Sequence, residues 1–254
     1  MKSMHGCMSV CSAILLSSAV AHASSLTGTM LINAGTLSAG TYVSGSYFAM
    51  GANNPNASAA AMLKPGSAGG IVLGTYQNFV LNPDTPHPFN WDGKNGGAGT
   101  GYGGTPTTEG TLLSSFSFFG TSTYVGTNPI GYQSGLAHPV ATADISACVG
   151  NSCTLSMDLS AWEVMWNGSA FEQGPRPVNT GPFVPATGTY DLSTHAYSAT
   201  WLSQINGGPF NGINGYWHIE GTVVPVPGAA WLLGSGLMGL LGFARRKSKT
   251  SDIA

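Results

Sequence analysis

From Thr154 onward the clearest runs of this chain place an apolar side chain at every second residue, without the three-to-four spacing of a capped amphipathic helix. Leu155, Met157 and Leu159 fall on one side of an extended backbone, and Thr154, Ser156 and Asp158 fall on the other. Trp162, Val164 and Trp166 continue the alternation. Asn167-Gly168 then supplies the positive-φ pair that a two-residue hairpin turn prefers, and Ala170 and Phe171 begin the return. His195, Tyr197, Ala199 and Trp201 share a face, as do Trp217, Ile219 and Val223. Each run reads as a half-buried antiparallel strand. Such strands must bury one face against other strands, which argues against helical bundles and strand–helix alternation.

Weaker alternation predicts earlier strands over residues 26–33, 41–50, 71–80 and 112–119. Prolines and glycines predict loops over 82–108 and 174–185. About ten strands with Gly, Asn and Pro turns predict an all-β fold, an antiparallel β-sandwich or jelly-roll-like ectodomain over residues 24–222. The glycine-rich run at 93–101 is not followed by Lys-Ser or Lys-Thr, nor by a helix pattern offering free amides. It reads as a surface loop rather than a phosphate cradle.

Residues 24–224 hold three basic side chains, Lys64, Lys94 and Arg176, against nine acidic ones, a net charge near minus six. There is no basic patch to engage phosphates, so no nucleic-acid partner is expected. Gly, Ser, Thr and Asn do the solvating, a composition suited to exported all-β proteins.

The two ends carry addressing information. Lys2, the uncharged stretch 8–20 and Ala21-His22-Ala23 have the layout of a secretory signal peptide over 1–23, with the mature chain beginning at Ser24. Cys7 and Cys11 lie inside the removed segment. Cys148 and Cys153 remain, with four residues between them in a chain bound for an oxidising compartment, and a local disulfide is expected. No further Cys or His with zinc-ligand spacing accompanies them. At the other end, Val224-Pro225-Val226-Pro227 precedes seventeen uncharged residues, 228–244, and then Arg245-Arg246-Lys247-Ser248-Lys249. As a helix at ~1.5 Å per residue the uncharged stretch reaches ~26 Å, enough to span a bilayer with little tilt. The basic cluster orients that helix with 245–249 in the cytoplasm and the body outside.

This tail resembles the PEP-CTERM sorting signal of Gram-negative bacteria. The matching parts are Val224-Pro225-Val226-Pro227, the stretch 230–237 and Ala244-Arg245-Arg246-Lys247, in the same order at the same end. The namesake motif has Glu between its prolines, where this chain has Val226. Cys148, Trp166-Asn167-Gly168, Thr189-Tyr190-Asp191-Leu192 and Tyr216-Trp217 also look like the ectodomains of some PEP-CTERM proteins. The resemblance implies export, transient anchoring in the inner membrane, processing by an exosortase near Pro225 to Gly228, and association with extracellular polysaccharide or biofilm matrix.

The expected function is therefore that of a non-catalytic cell-surface or matrix protein with no cofactor. A carbohydrate-binding module is the alternative, with Trp91, in the loop, as the sugar platform. Trp162, Trp166, Trp201 and Trp217 are assigned to core packing. A hydrolase would draw an acid and base from nine carboxylates scattered between Asp84 and Glu220, but no Gly-x-Ser-x-Gly elbow is present and the histidines are far apart in sequence. Asp92 with Asn90 and Asn95 is a weak calcium candidate, because the regular acidic loop is missing.

Overall fold

The computed structural model describes residues 23–78, 111–131, 134, 136–167, 169–178, 181–205 and 208–225. Along them run β1 (Ser24–Ser25), β2 (Thr29–Ile32), β3 (Thr36–Ser38), β4 (Thr41–Ser44), β5 (Tyr47–Met50), β6 (Ala60–Met62), β7 (Gly70–Val72) and β8 (Phe116–Phe118). There follow β9 (Thr121–Thr127), β10 (Thr142–Val149), β11 (Ser152–Asp158), β12 (Trp162–Trp166), β13 (Ser169–Glu172), β14 (Ala186–Asp191), β15 (Ala196–Gln204) and β16 (Asn214–Val224). A 3-10 turn, Gly208–Phe210, joins the last two. The fold is all-β, and every strand pairing is antiparallel.

A ten-stranded sheet runs β1-β10-β11-β14-β15-β16-β2-β7, with β5 also paired to β16 and carrying β6. Strand β16 is the hinge of this arrangement. From Asn214 to Thr222 it pairs with β15 on one side, while on the other its first half takes β5 (Trp217 opposite Phe48) and its second half takes β2 (Val223 opposite Met30). A four-stranded sheet, β13-β12-β9-β8, and the hairpin β3-β4 complete the set.

One core joins the two larger sheets. Trp162 of the smaller sheet meets Trp201 and Trp217 of the larger edge-on, at 5.1 and 5.4 Å between ring centres, and the latter two stack at 5.7 Å. Phe48 lies 4.5 Å from Trp217 and 5.2 Å from Phe118. Edge-on and offset contacts suit aromatic quadrupoles, adding about 0.5–1.5 kcal/mol per pair beyond area burial. The inward residues Leu155, Met157, Tyr197, Ala199, Ile219 and Val223 surround this cluster, as their alternation predicts.

Several boundaries differ from expectation. The strand expected over 41–50 is two strands, because Gly45 takes φ 90° and a Cβ there would lie 2.0 Å from the carbonyl oxygen of Ala34. The runs expected over 71–80 and 112–119 shorten to β7 and β8, while Leu112 and Leu113 are buried outside any strand. His195 does not open β15. It sits at φ 58° in the preceding turn, where its Nδ1 lies 2.7 Å from the hydroxyl of Tyr190. The hairpin at 167–168 is present, with Trp166 opposite Ser169 and Asn167 at φ 49°.

Candidate functional site: an aromatic pocket and a sealed charge cluster

At the end of the sheets where β15 returns as β16, a cavity of about 40 Å³ opens among Phe116, Phe118, Trp166, Phe171, Phe210 and Trp217, with Thr123 and Gln173 the polar residues at its wall. Three separate elements build its rim. The β8–β9 hairpin has a two-residue turn, Phe119-Gly120, with φ 47° and 74°. That backbone suits glycine and costs a bulky residue about 1–3 kcal/mol, yet an aromatic occupies it. The Phe119 ring is 52% exposed and stacks on Phe210 from the 3-10 turn at 5.5 Å. Phe210 in turn meets Trp166 at 5.2 Å, and the Trp166 indole donates to the carbonyl of Phe118 at 3.0 Å. Behind the rim, the Trp201 indole donates to the Gln173 backbone carbonyl at 2.9 Å and the Ser203 hydroxyl to its side-chain oxygen at 2.7 Å. The result is a half-exposed aromatic surface over a dry slot.

A second cluster lies on the far side of the smaller sheet. The two-residue turn after Trp166 places Glu163 and Glu172 directly opposite each other, 0% and 1% exposed. The side chain of Asn128 donates to Glu163 at 2.6 Å, and the backbone N–H of Ser134 donates to Glu172 at 2.6 Å. Arg176, buried under the Phe183 ring at 4.8 Å, pairs with Glu172 at 3.1 Å. His138 packs edge-on against Phe183 at 4.8 Å. Burial lowers its pKa from the ordinary histidine value, an effect opposed by the Glu172 carboxylate. A Cβ on Gly131 would fall 2.3 Å from Glu172 and 2.6 Å from His138 Nε2, so the segment crosses these side chains where glycine leaves room. Two facing carboxylates are the raw material of glycoside hydrolysis. Here both are shut away from solvent and bonded to the segment around 128–134, so they hold a loop and offer no surface to a polymer.

Sequence reasoning counted Glu163 and Glu172 among scattered carboxylates and His138 as isolated. The turn at 167–168 was the available signal for the glutamate pair; nothing in the text pointed to His138 or to Phe119 and Phe210. Cys148 and Cys153 are joined, with Cα atoms 3.9 Å apart, across the β10–β11 turn. Val224 ends β16 and Pro225 follows it. Val226, Pro227, Arg245, Arg246 and Lys247, the signal segment 1–22, the apolar stretch 228–244, Trp91 and the Asp92 calcium candidate lie outside the described residues. Among the described residues no three His, Cys, Asp or Glu are grouped to hold a metal, and no helix is long and apolar enough to cross a membrane. No family model, curated protein or solved structure matches the chain.

Proposed function

We propose that this chain is an exported, non-catalytic surface or matrix protein, held first in the inner membrane by its C-terminal tail and then released by an exosortase-type protease. The observation that carries the reading is where the strands begin and end. Strand β1 starts at Ser24, the residue after the expected leader, and β16 ends at Val224, where the Val-Pro-Val-Pro segment begins. The strands among the described residues fall between the two addressing segments, which supports reading residues 24–222 as a sandwich-like ectodomain. The bonded cysteines agree with passage through an oxidising compartment. Proline cannot continue a strand ladder or a helix, and Pro225 directly after β16 supports an end to the fold beside the expected cleavage region. The test is the intact mass of the surface or medium fraction, with and without the exosortase gene. The expected species runs from Ser24 to the region of Pro225 to Gly228 when the enzyme is present. Material that still carries Arg245 to Ala254 in that strain would refute the processing.

The exposed ring of Phe119, with the half-buried rings of Phe210 and Trp166 beside it, favours a second reading, carbohydrate binding, since aromatic faces stack on sugar rings. They form a better platform than a single loop tryptophan, because three elements position them. Retardation of the exported protein by the host's matrix polysaccharide should fall in Phe119→Ala and Phe210→Ala. Unchanged retardation with loss in Trp91→Ala would return the platform to the loop.

A further inference from the structure

The register of the large sheet gathers several distant segments at one end. Val224 pairs with Thr29, Thr222 with Ala196, Tyr197 with Tyr190, Asp191 with Ser152, and Ser152 with Val149. The exit of the chain, the turn after β14 and the disulfide-closed tip of the β10–β11 hairpin therefore share one edge of the fold. Four strand spacings of ~4.8 Å separate β16 from β10, so this edge is about 19 Å wide. The aromatic pocket is at the opposite end, beside the β15–β16 return.

Exposed aliphatic side chains project from this edge: Val149, 82% exposed, at the hairpin tip, Leu192, 42% exposed, in the turn after β14, and Val224, 48% exposed, at the chain's exit. The disulfide from Cys148 to Cys153 closes the turn that presents Val149, and the Leu192 N–H donates to the Asn151 carbonyl at 2.8 Å, tying the two turns together. The charge at this edge is the Asp191 carboxylate, held ionised by the hydroxyls and backbone N–H groups of Ser193 and Thr194, which donate to it at 2.6 to 3.0 Å. An ionised group belongs at headgroup depth, not in the hydrocarbon, and His195 is engaged by Tyr190. No Lys or Arg stands in β10, β11, β14, β15, β16 or the turns at this edge.

The length of chain beyond the last strand identifies what this edge meets. From Val224 to residue 228, where the apolar stretch begins, a fully extended backbone covers at most about 14 Å. The headgroup layer on each face of a bilayer is itself about 5–8 Å deep. We propose that, while the tail is anchored, this edge of the large sheet lies on the bilayer surface, with Val149 and Leu192 in the lipid interface. The proposal rests on the anchoring read from the tail. It gives the disulfide a role beyond stability, since the clip holds an apolar tip at the depth where it meets lipid. It also turns the aromatic pocket away from the membrane, and it brings the end of β16 at Val224 to the interface where a membrane-embedded protease works.

The experiment uses the full-length chain in inner membranes of cells lacking the exosortase. A photo-crosslinking amino acid replaces Val149, Leu192 or Val178, the last being a control that is 54% exposed and lies near the opposite end of β15, beside Arg176 and Ser203. Resistance of the exported domain to limited proteolysis, matching wild type, verifies that each variant is folded. The expected result is lipid adducts at positions 149 and 192 at least fivefold above position 178. Equal labelling at all three positions in membrane-held chain would overturn the proposal and leave the anchoring reading standing. So would adducts at 149 and 192 to protein instead of lipid. A chain absent from the membrane fraction would overturn both.

Discussion

Replacing Arg176 with Met tests the sealed cluster at the point where its charges balance. The guanidinium is 5% exposed, and its Glu172 partner, 3.1 Å away, is fully buried. Methionine keeps most of the length and volume and can still pack on Phe183, so the loss is mainly one of charge. Glu172 then retains the Ser134 N–H as a donor but loses the Arg176 cation, and Glu163 faces it across the ladder. Removing one member of a buried ion pair costs about 3–5 kcal/mol, because the remaining buried charge is left under-compensated. For a domain of this size that corresponds to a fall in Tm of roughly 6–20 °C. The measurement is urea unfolding followed by tryptophan fluorescence, on chain exported with its own leader and truncated after Pro225. Adding Glu172→Gln should recover more than half of the loss, since the amide oxygen still accepts from Ser134 and carries no charge. A single variant less than about 1 kcal/mol below wild type, or a double variant no better than the single, would show that water reaches the cluster and that the pair is an ordinary surface one.

Gly131→Ala drives a Cβ to 2.3 Å from the Glu172 carboxylate and 2.6 Å from His138; the displaced side chains should lower stability by about 1–3 kcal/mol in the same unfolding assay. Cys148→Ser with Cys153→Ser opens a loop whose ends are 5 residues apart in sequence, so the expected loss in denaturant unfolding is about 2 kcal/mol, and two freely alkylated thiols in wild-type exported protein would contradict the bond itself. His138 has a folded pKa below its ordinary 6.5, with desolvation first among the causes and Glu172, Arg176 and Asp158 as charged neighbours; the unfolded chain therefore binds the proton more readily, and stability contributed by His138 is present at neutral pH and lost as pH falls through and below about 6.5. Thermal melts at stepped pH should show a shallower acid decline for His138→Gln than for wild type, and identical slopes would contradict the assignment.

The wall of the core was legible because alternation is a local property. Leu155, Met157, Trp201, Trp217 and Ile219 point inward since a strand with period two has one choice of buried face, and a slip by one residue would put every one of them in water. The hairpin at Asn167-Gly168 was legible for a similar reason: a two-residue turn sets the register of the strands it joins, including Glu163 opposite Glu172. The β8–β9 hairpin was missed because Phe119 is a poor candidate for a positive-φ position, and the turn is held by rings packed from elsewhere.

By itself, then, the sequence determined an all-β antiparallel chain, the inward faces of its clearest strands and the cysteine pair, each of which depends on spacing within a few residues. Tertiary structure decided the partners. Backbone donors and acceptors are alike in every strand, so nothing local tells β16 to divide one edge between β5 and β2. Nor does alternation reveal that the outward face of β12 is covered, for Glu163 reads as a solvated position until Asn128 closes over it. The aromatic rim is the clearest case, since Phe119 in a hairpin turn, Trp166 at the end of β12 and Phe210 in the 3-10 turn are spread along the chain and meet only because the two sheets end at the same place. Contacts between residues that distant depend on which strands pair, and that choice belongs to the whole core.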